Sequence, residues 1–383
     1  MAEDKKIFPI TKPVLDKKEV ELVEKCLNSG WVTQGPMTQK FEQAVAKRHQ
    51  VEYALAVTSC TAALHLSTLA LGLKPGDEVI VPAFTWITSA NCVEYAGAKV
   101  VFVDVKEDTF NLDPKDFEAK ITPCTRAVVV VHLFGLAAEM KEILEIANRY
   151  SIKVIEDCAC AIGTTYNKKP VGGLGNIGCF SFHPRKVITT GEGGMITTND
   201  PELARKTGSL RNHGASGNPG PKEGPAKPYI MGEFDNLGFN YRLSDIQAAV
   251  GLAQMDKLEN LLDERASIAM KYMNLLSGLD GIILPPYSGI CGHTYQSYVI
   301  RLAGKNKGKR NKVMEILAEN GIQTRPGTHA VHRLGYYTKK YGIKPNDFPV
   351  ACNSEDSTIT LPIYHGMTQE DQDYITEILK RGL

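Results

Sequence analysis

The chain has 383 residues, room for two to three domains at roughly 150 residues each. Hydrophobic residues make up 43%, which excludes global disorder. Lys and Arg total 44 against 43 Asp and Glu, a net charge of +1, so no charge excess argues for nucleic acid or an anionic membrane. A bound anion would need a local site.

No apolar run approaches the ~18 residues of a transmembrane helix. The opening MAEDKKIFPITKP carries no apolar core and reads as no signal peptide. The cysteines number nine, scattered and odd in count, which suits free thiols in a reducing cytosol. Cys158 and Cys160 form a C-x-C, yet no second Cys or His pair follows at zinc-site spacing, so no metal is expected.

In chain order, the apolar runs Tyr53–Val57, Glu78–Val81, Val100–Val105, Ala127–Val131, Lys153–Ile155, Cys179–Phe182 and Met195–Thr198 read as strands buried on both faces. Helical spacing at Thr61–Leu71 and Met140–Tyr150 lies between them. Strands alternating with helices predict an α/β fold with a mostly parallel seven-stranded sheet. The last two runs are joined by too short a link for a helical crossover, so that end is irregular or antiparallel.

The Gly/Pro-rich stretch Gly214–Gly232 excludes a long helix and reads as a mobile excursion, a lid or a partner-contacting loop. Beyond it, Ser244–Leu276 reads as one long helical stretch. Helical segments at Lys309–Asn320 and Thr368–Leu379 around a strand-like Tyr295–Ile300 predict a smaller α+β domain. The division expected is 1–250, the N-terminal segment and large domain, and 251–383, the small one.

Three places carry chemistry. Thr58-Ser59-Cys60-Thr61-Ala62 follows a strand and opens a helix; it is either an anion site or a plain N-cap. Asp157 ends a buried strand, where α/β proteins bind ligands; it either faces that crevice or caps the next helix. Lys186 sits between a strand and a Gly-rich turn. A lone lysine is an ordinary surface charge, but an anion site, then a strand-end acid, then a lysine are the parts pyridoxal phosphate needs.

The stretches GWVTQGP from Gly30, GDEVIVPAFTWITSAN, VIEDCACAIGT, SFHPRKVITTGEGGM and GFNYRLSDIQAAVGLAQ extend across nearly the whole chain. It resembles the sugar-nucleotide aminotransferases of the DegT/DnrJ/EryC1/StrS family, which implies the fold-type I architecture of pyridoxal-phosphate (PLP) transferases.

The resemblance gives Lys186 the role of Schiff-base lysine and proton carrier. Asp157 becomes the partner of the pyridine nitrogen, and a carboxylate there favours the protonated ring. Trp86 becomes the stacking aromatic; read without the family, the lesser alternative is a buried indole with a satisfied N–H. Thr61, the Ala62 N–H and Ser181 match the phosphate cup. Asn240 matches an asparagine that reaches the phosphate from a neighbouring subunit, implying a homodimer with shared sites; its plain reading is a turn residue. Cys160 departs from the family's usual Gln or His and is assigned no contact.

The implied reaction moves an amino group from glutamate to a nucleotide-linked keto sugar, with pyridoxamine phosphate as the intermediate cofactor form. Gly30–Gly35 and Arg325-Pro326 look most like enzymes aminating C4 of 4-keto-6-deoxy sugars, in pathways to surface polysaccharide, glycan or secondary metabolite. Arg325, His329 and His332 are candidate substrate contacts, or else an ordinary polar loop. Two rivals share the fold: a sugar dehydratase and a non-catalytic regulatory relative. The dehydratases carry His at the Schiff-base position, and this chain has Lys186. A regulatory relative would have lost the Lys or the Asp, and both are present. The enzyme is expected in the cytoplasm, with no nucleic-acid or membrane partner.

Overall fold

The computed structural model describes residues 6–216, 229 and 231–383. Most of the Gly214–Gly232 excursion lies outside these residues.

The main sheet is built from β1 (Tyr53–Val57), β2 (Glu78–Pro82), β3 (Lys99–Val103), β4 (Thr125–Val131), β5 (Lys153–Cys158), β6 (Ile177–Ser181) and β7 (Gly194–Thr198). Their order is β1-β7-β6-β5-β4-β2-β3. The pairs from β6 to β3 are parallel, and β7 runs antiparallel to both β6 and β1. The reversal sits where the sequence predicts it, because the β6–β7 link contains no helix to carry a parallel crossover.

Strand geometry explains the apolar runs. In β4, Ala127, Val129 and Val131 enter one core while Val128 and Val130 enter another. Successive side chains alternate between faces, and helices cover both, so every position must be apolar. Burying each such Val contributes roughly 1.5–3 kcal/mol. The first core lies under the helix Cys60–Ala70, and the second under the helix Met140–Arg149.

Two features of the first 50 residues escape the strand pattern. Asp16 forms a capping box with Glu19 and starts the helix Lys17–Asn28. The helix Pro36–His49 is then fixed by Asp245, whose buried carboxylate accepts from the Gly35, Met37 and Thr38 N–H groups at 2.7, 3.0 and 2.9 Å.

The expected single helix over Ser244–Leu276 is two, Asp245–Asp256 and Leu258–Leu276, broken at Lys257. The break puts the Lys257 ammonium within 2.7 Å of both Asp16 and Glu19. Downstream, the strand expected at Tyr295–Ile300 is Tyr298–Leu302. Its start is delayed because Tyr295 takes a left-handed φ of 48°. It pairs with Thr358–Leu361 and Ile282–Ile283 in a three-stranded antiparallel sheet. That sheet, Phe8 and the helices Leu258–Leu276, Arg310–Glu319 and Gln369–Gly382 enclose a separate core around Tyr272, Tyr298, Leu317 and Ile375.

Candidate active site

A cavity of about 560 Å³ opens at the C-terminal ends of β4, β5 and β6, where Val131, Asp157 and Ser181 reach its wall. This is the edge at which parallel α/β sheets bind ligands. The C-terminal part closes the other side with Gln296, Ser297 and Arg325 to His329.

β5 carries two adjacent acids, Glu156 and Asp157, just before its last residue, and alternation sends them to opposite faces. Asp157 faces the cavity. Its Oδ2 accepts from the Ser89 hydroxyl at 2.7 Å, and its Oδ1 accepts from the Ala159 N–H at 3.1 Å. No helix begins there, so it is not a helix cap. Ser89 Oγ is itself 3.0 Å from Thr85 Oγ1. Burial pushes the Asp157 carboxyl up, and Ser89, Ala159 and Lys186 only partly offset this.

Glu156 faces away and accepts from four donors: His132 Nε2 at 3.0 Å and the N–H groups of Gly172, Leu174 and Gly175 at 2.9, 2.8 and 2.7 Å. Burial alone would raise it, yet these donors hold it below the usual carboxylate range. His132 Nδ1 accepts from the Ala138 N–H at 3.1 Å, which leaves the ring proton on Nε2 for Glu156. Gly172 has φ 88°, and a Cβ there would meet the Phe180 ring at 2.4 Å, so only glycine presents this N–H. His132, Glu156 and Cys158 bring their ligand atoms within 4.8 Å, but the His132 nitrogens and Glu156 oxygens are already spent on this brace.

Lys186 is half-buried on the cavity wall. Its Nζ donates to Cys160 Sγ at 3.2 Å, and its own N–H donates to the His183 carbonyl at 2.8 Å. Burial lowers the ammonium; Cys160, Cys60 and Asp157 more than reverse this and hold it above the usual lysine range.

The helix Cys60–Ala70 aims its N-terminus at the same cavity. Gly194 permits this approach: a Cβ there would stand 2.4 Å from the Ser59 backbone. The Ala62 N–H, expected to serve an anion, instead donates to Ser59 Oγ at 3.1 Å as an N-cap, and Ala62 does not line the cavity. The Cys60 and Thr61 N–H groups have no protein acceptor among the described residues. Together with the Ser181 hydroxyl on the wall, they form a cradle that fits a phosphate.

Trp86 is 53% exposed on the cavity wall, which excludes the buried-indole alternative. His329 pairs its backbone with Thr85 and holds its ring 5.6 Å from Trp86. Arg325 lines the cavity half-buried, and its guanidinium has no hydrogen-bond or carboxylate partner among the described residues. Burial, then the charge of Arg185, lower its pKa from the usual range. Asn240 is exposed, pairs its backbone with Asn212, and stands outside its own chain's cavity.

His332 corrects the sequence reading. It is fully buried away from the cavity, with Nε2 3.1 Å from the Pro345 carbonyl and 3.4 Å from Cys352 Sγ. It follows the strand His329–Ala330 in a short 3-10 turn that carries it into the apolar core with Phe102 and Phe348.

Sequence reasoning also missed residues that the cavity contains: Arg185, His183, Glu192, Gln296 and, behind Asp157, Ser89. Arg185 had an available signal, since it immediately precedes Lys186. Ser89 had none, because it is joined to Asp157 only by the fold. Gln296 Nε2 donates to the Arg185 carbonyl at 2.8 Å, tying the lysine turn to the C-terminal part.

A parallel sheet with a carboxylate at a strand end, a lysine amine in the same cavity and a phosphate-ready helix start is the arrangement of a fold-type I enzyme dependent on pyridoxal phosphate. The model of the DegT/DnrJ/EryC1/StrS aminotransferase family matches residues 13–380, and the chain belongs to that family. It is 39% identical to a GDP-perosamine synthase of Caulobacter vibrioides, over 98% of each chain. It is 37% identical to the spore coat polysaccharide biosynthesis protein SpsC of Bacillus subtilis, over 97% of this chain and 96% of that one. Among solved structures, the putative sugar aminotransferase Spr1654 from Streptococcus pneumoniae, in its PMP form, superposes with a TM-score of 0.91 at 28% identity, covering 98% of each chain. The protein is therefore a PLP-dependent sugar aminotransferase. No helix among the described residues is long and apolar enough to cross a membrane.

Proposed function

We propose that this enzyme moves an amino group from glutamate to C4 of a nucleotide-linked 4-keto-6-deoxyhexose, with GDP the nucleotide to try first. One observation carries the reading: Arg185 and Arg325 line the Lys186 cavity with no carboxylate partner among the described residues. Two like charges left together in one wall favour a doubly charged anion such as a diphosphate. The GDP-perosamine synthase relative supports the choice of sugar nucleotide.

The residues then divide the work. The Cys60 and Thr61 N–H groups and Ser181 would hold the cofactor phosphate, Trp86 would cover its ring, and Asp157 would pair with the ring nitrogen. The bound cofactor supplies the electron sink that lets a proton leave the carbon bearing nitrogen. Lys186 takes that proton from donor carbon and returns one to the sugar carbon, fixing the side on which hydrogen enters. Arg325, Arg185 and His329 orient the sugar nucleotide. The test is a panel of nucleotide 4-keto sugars offered with glutamate, followed by release of 2-oxoglutarate. Release with a GDP-linked 4-keto sugar is expected; release with 3-keto sugars alone would overturn the C4 assignment.

The working unit in this reading is a cytoplasmic homodimer in which Asn240 approaches the partner's phosphate site; its exposure outside its own cavity supports this. Mixing Lys186→Ala chains with Asn240→Ala chains should restore part of the activity that each parent lacks. No recovery after verified subunit exchange would place the whole site in one chain. The large and small domains are taken as 1–250 and 251–383, supported by the separate core around Tyr272 and Tyr298, which apart from Phe8 begins at Ile268.

A further inference from the structure

The turn that follows Lys186 folds back onto the end of β6. The Thr189 hydroxyl and the Thr190 N–H both donate to the Phe182 carbonyl, at 2.8 and 3.0 Å, and the Phe182 N–H donates to the Gly193 carbonyl at 2.9 Å. Lys186, Glu192 and Gly193 of this segment line the cavity. These bonds leave the buried Thr189 N–H without a partner inside the turn. Its acceptor is Gln254 Oε1 at 3.2 Å, and no other acceptor meets it among the described residues. Gln247 lies about two turns earlier on the helix Asp245–Asp256 and so on the same face. Its Nε2 donates at 2.7 Å to the Glu192 carbonyl, which also accepts from the Thr190 hydroxyl. Neither glutamine lines the cavity.

Gln254 has one orientation open to it. Thr189 offers a proton, so the amide oxygen must face it. The Val14 carbonyl and Glu19 Oε1 both need protons, so the nitrogen faces them, at 2.6 and 2.7 Å. The side chain is only 1% exposed, and both amide protons are spent. A buried polar group satisfied in this way is rigid.

We propose that Gln254, assisted by Gln247, is a positioning residue for Lys186: the two glutamines fix the turn whose backbone determines where the lysine amine can reach. The inference rests on reading Lys186 as the proton carrier and does not depend on which sugar is aminated. Lys186 has to reach the donor carbon and then the sugar carbon from one anchored stretch of backbone. A misplacement of about 1 Å costs about a hundredfold in rate. The oxygen of Gln254 holds the lysine turn, and its nitrogen holds the N-terminal segment at Val14 and Glu19. Substitution separates the two halves. Gln254→Met keeps the length and loses both. Gln254→Glu keeps an oxygen for Thr189 but turns a second oxygen on Val14 and Glu19.

Two measurements on full-length protein test this. The first is hydrogen exchange at the Thr189 amide. Gln254→Met should exchange there at least about tenfold faster than wild type, and Gln254→Glu should keep most of the protection. The second is the half-reaction with glutamate, followed by absorbance of the bound cofactor. Gln254→Met should lower its saturating rate about tenfold to hundredfold, with the half-saturating glutamate concentration within about twofold of wild type. Gln254→Glu should melt at a lower temperature yet recover most of the rate. A Gln254→Met protein that melts lower but reacts at the wild-type rate overturns the proposal, as does a Gln254→Glu protein that keeps Thr189 protected but reacts as slowly as Gln254→Met. Where the Gln254 variants do not fold, Gln247→Glu decides. It keeps the oxygen that accepts from Ser244 and loses the donor to Glu192. A several-fold slower half-reaction is then expected, and a wild-type rate overturns the proposal. Lys186→Ala tests the underlying reading separately: it should show no half-reaction, and a wild-type rate there would sink the lysine assignment itself.

Discussion

Glu156 points to the sheet face under the helix Met140–Arg149, and Asp157 to the face under Cys60–Ala70. Both are buried, and they are adjacent in sequence. Glu156 meets four donors and is held below the usual carboxylate range. Asp157 meets two donors and is raised. A carboxylate offers about four acceptor positions, so the first is saturated and the second has capacity left for a ligand. Burial with full hydrogen bonding marks a brace; burial with unused capacity marks a site.

That contrast breaks most sharply in kinetics. Asp157→Asn should lower kcat by about three orders of magnitude, equivalent to about 4 kcal/mol of barrier, because an amide cannot balance a protonated ring. The fold should survive, since Asn can still accept from Ala159. A near-normal rate would show that another group charges the ring. Glu156→Gln should do the reverse. Its amide nitrogen would face two N–H donors where an oxygen now accepts, costing about 3 kcal/mol of stability, read from urea unfolding. The turnover of protein that remains folded should stay within a few-fold of wild type.

Acid titration of stability sharpens the comparison, because the two acids have opposite signs. Glu156 has a lowered folded pKa. Its stabilisation is full above the ordinary carboxylate range and is lost as pH falls through the folded value. Asp157 has a raised folded pKa, so its ionisation costs stability near neutrality, and that cost disappears as pH falls through its range. In cofactor-stripped protein, Asp157→Asn should be at least as stable as wild type at neutral pH, with the difference shrinking in acid. The Glu156→Gln deficit should also shrink in acid, at lower pH. Parallel curves for the two variants would remove the distinction.

Much of this architecture is legible in the sequence because sheet physics is local. The Val-rich run of β4, buried on both faces, can be little else, and the missing helix between β6 and β7 predicts the antiparallel end. Lys186 and Asp157 are legible because each sits beside a strand end. What fails to show is whatever depends on distant chain meeting. Lys257 breaks a helix where Asp16 and Glu19 wait more than 200 residues upstream. His332 looks like its neighbour His329, yet three residues on, the backbone has turned it into the core. Arg185 gains meaning only when the fold brings Arg325 beside it.

The smallest expected effect tests how Asp157 is tuned. Ser89 comes from the helix Thr88–Tyr95 and donates to Oδ2, and this is the largest influence lowering the raised carboxyl. Ser89→Ala leaves a fully buried oxygen with one fewer donor, so the carboxyl should rise further and ionise less readily. A hydrogen bond to a charged group contributes about 1.5–3 kcal/mol, which sets a ceiling of roughly tenfold to hundredfold on kcat. The ring's own charge offsets part of that loss, so about tenfold is expected. The acid limb of the kcat profile should move to higher pH at the same time. Ser89→Thr retains the hydroxyl and should recover most of both. A tenfold loss with an unmoved acid limb would mean that Ser89 only packs the helix against β5.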